Sequence, residues 1–153
     1  MNPRLDRLAK ELNLSSAAQQ DLALAFGYAC VDRVKHLLER PEARDLLERL
    51  RAGVASRVQI LDLESVATEA AALARSHSGS VSIDGSGHSA VSATHALARA
   101  AAGRAVEAAE YAAYAAVYSY GRYAIQDPSA FDVEFNWQME TLLRLSRERR
   151  LVQ

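Results

Sequence analysis

The 153 residues contain one cysteine, three prolines, two lysines and a single tryptophan. With Cys30 alone, no internal disulfide can form, and such cysteine usage fits a reducing compartment. Prolines at 3, 41 and 128 leave long stretches free of helix breakers. The two lysines, Lys10 and Lys35, stand against sixteen arginines, a bias of genome composition that carries no function. No apolar run approaches the roughly 20 residues of a membrane span. The opening MNPRLDRLAKEL holds acids and no apolar core, so it is not expected to act as a secretory signal. A net charge of −1 gives no general attraction for nucleic acid or an anionic membrane. The expectation is a cytoplasmic protein of one domain, large enough to bury roughly two-thirds of its unfolded surface.

Alternation of period two is missing as well, while apolar residues recur at helical spacing almost throughout. The predicted fold is all-α, a single domain (1–153) of five to six helices packed around a long alanine-rich one. A first helix is predicted over Pro3–Leu12, with Leu5, Leu8 and Leu12 on one side. Ser15 and Ser16 open a second, Ser16 and Gln19 having capping-box spacing. Its buried stripe is Leu22, Phe26, Cys30, Val34 and Leu37, and Pro41 stops it. A third helix, Glu42–Ala52, is closed by Gly53, and a fourth runs from about Asp62 to Ser76. The segment SGSVSIDGSG, 78–87, is expected to be a flexible loop. Asp127 and Pro128 start a last helix that reaches about Arg149, with Phe131, Phe135, Met139, Leu142 and Leu145 as its core stripe.

The longest of these segments, Ser89 to Ile125, carries most of the information. Alanine has the highest helix propensity, so a proline-free run this rich in it is helical on local grounds. At 100° per residue it has two unlike faces. Ala98, Ala102, Ala105, Ala109, Ala112, Ala113 and Ala116 form one, continued by Tyr120 and Tyr123. Arg104, Glu107, Tyr111, Tyr114, Tyr118 and Arg122 form the other. The methyl face should be buried and the tyrosine face left nearer to water.

Catalytic and metal chemistry find little support. His88 and His95 share a helical side, but no His-x-x-x-His or Glu-x-x-His pair accompanies them, and the nearest carboxylate, Asp84, lies in the serine-glycine segment. His95 is expected at the edge of the core, with His36, His77 and His88 solvated. IDGSGHS precedes a helix yet matches neither phosphate-loop pattern. Cys30 sits mid-stripe, which reads as packing, and no serine lies in G-x-S-x-G. Neither a metal, a cofactor nor enzymatic activity is therefore expected.

Binding chemistry is better represented. Between Tyr123 and Leu143 stand four acids (Asp127, Asp132, Glu134, Glu140) and no base. Trp137 projects away from the core stripe, beside Glu134, Glu140 and Thr141, the makeup of an interface anchor. Tyr111, Tyr114 and Tyr118 combine apolar area with a polar tip and suit either a binding surface or a half-buried seam. The six candidate partner-binding residues are Tyr111, Tyr114, Tyr118, Glu134, Trp137 and Glu140.

Two segments carry a family resemblance. FGYACVDRVKHLLE (Phe26 to Glu39) is similar to the aromatic, cysteine and Arg-Val start of bacterial immunity proteins of the immunity-protein-five-like group. THALARAAAGRAVEAAEYAAYAAVYSY (Thr94 to Tyr120) resembles that group's second half, with tyrosines where the group carries histidine or small residues. Together they span about a quarter of the chain. The resemblance implies a small all-helical protein that neutralises a cognate toxin protein by binding it, with no catalysis and no cofactor. The alternatives from other classes are a self-associating scaffold with a tyrosine-lined homodimer seam, and a metal protein or enzyme built on His88, His95 and Asp84.

Overall fold

The computed structural model describes residues 2–56, 60–77 and 86–152, among which every regular element is helical. The all-α bundle expected from the periodicity is present, with seven α-helices among the described residues in place of five to six. They are α1 (Pro3–Glu11), α2 (Gln20–Arg33), α3 (Pro41–Ser56), α4 (Ile60–Ser76), α5 (Ser86–Ala101), α6 (Ala105–Tyr118) and α7 (Asp132–Val152). The count rises because the alanine-rich run is not one helix. It stops at Ala101, reverses through Ala102–Arg104 and returns as α6, packed along α5 as an antiparallel hairpin. Gly103 supplies the reversal: its φ of 79° is a left-handed conformation that costs an L side chain about 1–2 kcal/mol. Nothing lies within 4 Å of where its Cβ would be, so only backbone conformation opposes substitution. Gly103→Ala should therefore lower unfolding stability by about 1 kcal/mol, with Gly103→Asn closer to wild type, in urea denaturation.

Local propensity favours continuing through the turn, and tertiary packing overrides it. Folding back lets α5 and α6 bury both alanine faces, including Ala93, Ala96, Ala100, Ala108, Ala112 and Ala115. A straight 37-residue rod could not do so in a chain this short. The continuous helix expected from Arg104 to Arg122 likewise ends at Tyr118, and a 3₁₀ turn, Arg122–Gln126, follows. Consequently Tyr120 does not extend the alanine face; it is 58 % exposed. Ala102, expected to be buried, is exposed in the turn.

Around this hairpin, α4 packs on the other side of α5, and α2 lies against both α5 and α6 while also carrying α3 and α7. Helix α1 closes the bundle against α7 and α6. Phe26, Cys30 and Val31 of α2, and Val34 just beyond its end, meet Leu97 and the alanines in the main core. Gly27 brings α2 onto α5, a Cβ there falling 3.2 Å from Ala100.

Several helix boundaries differ from the predicted ones. Ser16 makes no capping bond; its hydroxyl donates to the Asn13 carbonyl at 2.7 Å, and a 3₁₀ turn precedes α2. Gly53 does not end α3 but lies inside it, making room for Leu63, which a Cβ would meet at 2.6 Å. Helix α2 ends at Arg33, and a 3₁₀ turn, Lys35–Leu37, replaces its expected last turn. Asp127 does cap, accepting from the Ser129 N–H at 3.0 Å, but what it opens is a 3₁₀ turn, Pro128–Phe131, and the last helix begins only at Asp132 and runs to Val152. The predicted loop and Asp84 lie outside the described residues, apart from positions 86 and 87, which already belong to α5.

Candidate interaction surface

Along the seam between α5 and α6, side chains meet in a fixed antiparallel register. His88 stacks on Tyr118 with centroids 5.3 Å apart, and His95 stacks on Tyr111 at 5.2 Å. Seven residues along α5 thus correspond to seven back along α6, two helical turns on each. One turn further, Arg99 meets Glu107 at 3.7 Å, and its guanidinium also lies 5.8 Å from the Tyr111 centroid. Of the three histidines expected to be solvated, only His36 is exposed; His77 is half-buried, and His88 is half-buried against its tyrosine. His95 lies at the core edge as expected, and burial, then Arg99 and His77, hold its pKa below the ordinary histidine value of 6.5.

That depression has a sign. Unfolded His95 takes up a proton before the folded form does, so its contribution is fully present above pH 6.5 and is lost as pH falls from there through the lower pKa of the folded form. In His95→Phe, which keeps a ring against Tyr111, the drop in stability between about pH 7.5 and 5 should shrink. Urea unfolding at both values measures it.

The three seam tyrosines are half-buried, with the methyl side behind them buried as predicted. Tyr114 touches Tyr118 at 6.2 Å and meets Phe131 edge-on at 5.5 Å, and Phe131 continues to Phe135 at 5.5 Å. Burial raises the Tyr114 pKa, helped by Glu110 and Tyr118. The row His88, Tyr118, Tyr114, Phe131 and Phe135 is thus one chain of rings running from α5 across α6 to α7.

On α7 the expected outward face turns inward. Glu134 is 4 % exposed, and Gln138, Thr141 and Ser146 are buried with it. Glu134 accepts from Arg33 of α2 through Nε at 2.8 Å and Nη2 at 3.2 Å, a two-point ion pair. The same guanidinium lies over Trp137 at 4.6 Å from the ring centroid. Trp137 is therefore half-buried beneath Arg33 and packed on the core, not displayed on a wet polar face. Gln138 accepts from Asn2 at 3.1 Å and donates to the Ala109 carbonyl at 2.9 Å, fastening the chain start and α6 to α7. Glu140 remains exposed. The polar stripe on α7 is buried because each of its larger members finds a partner on another helix, which offsets the loss of water.

Of the six candidate residues, the structure joins Tyr114 and Tyr118 in the row of rings, sets Tyr111 on the same helix against His95 and Arg99, and places Glu134 and Trp137 together with Arg33. The residues missed from sequence are the partners: His88 and His95 for the tyrosines, and Arg33 for α7. The matching seven-residue spacings of 88/95 and 111/118 carried a signal, readable only once Gly103 is recognised as a hairpin turn. Burial drives the Cys30 thiol pKa far upward, in keeping with a packing role. Among the described residues no group of three or more His, Cys, Asp or Glu side chains stands where it could hold a metal ion. No helix among them is long and apolar enough to cross a membrane. The fold and this seam define an all-helical bundle with a pre-stacked aromatic row at its surface. No protein-family model, curated protein or solved structure matches the chain.

Proposed function

We propose that this protein is an immunity protein, which binds and occludes a cognate bacterial toxin in the cytoplasm without catalysis or cofactor. The observation that carries the reading is the tyrosine row, half-exposed and held from behind by stacked rings. Aromatic side chains already fixed by neighbours lose little conformational freedom on binding, so their contact area converts efficiently into affinity. Glu110, exposed beside Tyr114, and Glu140 on α7 add negative charge that steers a basic partner. Glu134 is left out of the surface, its carboxylate being occupied by Arg33. The resemblance of the α2 and α5–α6 segments to immunity proteins points the same way.

The test is co-expression with a candidate toxin domain taken from a gene neighbouring this one. Wild-type protein should restore growth and co-purify with the toxin. Tyr111→Ala combined with Tyr118→Ala should weaken the complex at least about tenfold, with circular dichroism reporting that the helices persist. Failure of the wild type to bind or protect sinks the reading. A concentration-dependent dimer abolished by the same substitutions would make the row a homodimer seam instead.

A further inference from the structure

We infer that the cleft where the ends of α2, α5 and α6 converge binds a guanidinium group, and that the toxin supplies it as an arginine side chain. The second clause rests on the proposed function; the first does not. The cleft holds about 430 Å³ and is lined by His36, Leu37 and Glu39 from beyond α2, Ser89 from the first turn of α5, and Tyr118 and Tyr120 at the end of α6.

Four observations select the ligand. Tyr120 and Val133 are the two exposed large hydrophobic side chains among the described residues, and the Tyr120 ring stacks on no other ring there. The Tyr118 ring is braced by His88. Glu39 is exposed and makes no ion pair among the described residues. Finally, Ser89 is 2 % exposed, and its hydroxyl has no hydrogen-bond partner, an unmet group on the cleft wall.

Phenol faces plus an unpaired carboxylate favour a cation. The nearby bases are engaged elsewhere: Arg33 by Glu134, Lys35 by Asp32 at 3.2 Å, Arg40 by the Ser76 hydroxyl at 3.4 Å and Arg44 by the Leu38 carbonyl at 3.1 Å. Guanidinium fits better than ammonium because it is planar and weakly hydrated. It can stack on a phenol while directing N–H groups to a carboxylate at its edge. A further N–H would reach the Ser89 oxygen once the ligand parts the wall. An anion would face Glu39 uncompensated.

The test is a ¹H–¹⁵N NMR titration with N-acetylarginine amide, using N-acetyllysine amide and inorganic phosphate as comparison probes. The arginine probe should shift the amides of Glu39, Ser119, Tyr120 and Gly121 and saturate. The lysine probe should bind about fivefold more weakly and phosphate should leave these amides unmoved. Glu39→Gln, an exposed and structurally mild change, should weaken the arginine probe about fivefold at unchanged Tm. No saturable shift, equal lysine binding, or a response to phosphate would each overturn the site. If the toxin complex forms, Glu39→Gln should also weaken it; an unaltered complex would overturn the toxin arginine as occupant. If no complex forms, the proposed function fails while the titration still decides the cleft.

Discussion

Arg33→Ala should cost this protein about 3 kcal/mol and lower Tm by roughly 6–12 °C. The substitution strands the Glu134 carboxylate, 4 % exposed, without the two N–H groups that now satisfy it. It also strips the cover from Trp137. Removing one member of a buried pair is costly because the survivor keeps its desolvation penalty, whereas replacing both by apolar groups relieves it. Arg33→Met with Glu134→Leu should therefore be less destabilised than Arg33→Ala alone. Chemical denaturation of the three proteins checks this, and a double variant as destabilised as Arg33→Ala or more so would mean that no stranded carboxylate underlies the loss. The Trp137 fluorescence maximum should move red in Arg33→Ala as water reaches the indole.

Gly27→Val should be comparably damaging, at about 3 kcal/mol, for a reason of shape instead of charge. A Cβ at Gly27 would stand 3.2 Å from both the Cα and Cβ of Ala100. The Cα belongs to backbone and cannot rotate aside, so a branched side chain must push α5 away from α2. Because α5 also carries α4 and α6, that displacement propagates through the bundle. Gly27→Ala should be nearly neutral, since the tight contact is offset by a helix-propensity gain of up to about 1 kcal/mol. Ala100→Gly should recover part of the Gly27→Val loss by clearing the obstructing methyl. Two unfolding midpoints moving independently would show that the helices are not in register at this crossing.

Both predictions fall on features that a linear reading passes over. Arg33 ends a helix, where a base is ordinary, and Gly27 looks like a weak point in an otherwise good helix former. Each acquires its role from a residue about 70 to 100 positions away. Other features were legible. Leu22, Phe26, Cys30 and Val34 recur at helical spacing and are all buried. Asp127 was legible as a cap, although the turn it caps is 3₁₀ and precedes α7. The methyl face of the alanine-rich segment is buried because small side chains invite close packing wherever a neighbouring helix exists. The candidate surface was half legible: the tyrosine row stood at the right spacing, but its histidine backing did not show until the segment folded on itself.

The error on α7 has a clear cause. Periodicity separates apolar from polar positions and assigns the polar ones to water. Glu134, Gln138 and Thr141 break that assignment because Arg33, Asn2 and the Ala109 carbonyl wait on the opposing helices for two of them. A hydrogen-bond partner supplied from elsewhere is invisible to any pattern along one helix.

Amino-acid order alone determined that this chain is helical and which side of most of its helices would leave water, since propensity and spacing act within a few residues. Only the tertiary structure decided where the alanine-rich segment turns, which histidine meets which tyrosine, and that a carboxylate and an indole on α7 belong to α2. Those outcomes depend on contacts between distant segments, and the free energy of such contacts exceeds the small local preferences that a sequence displays.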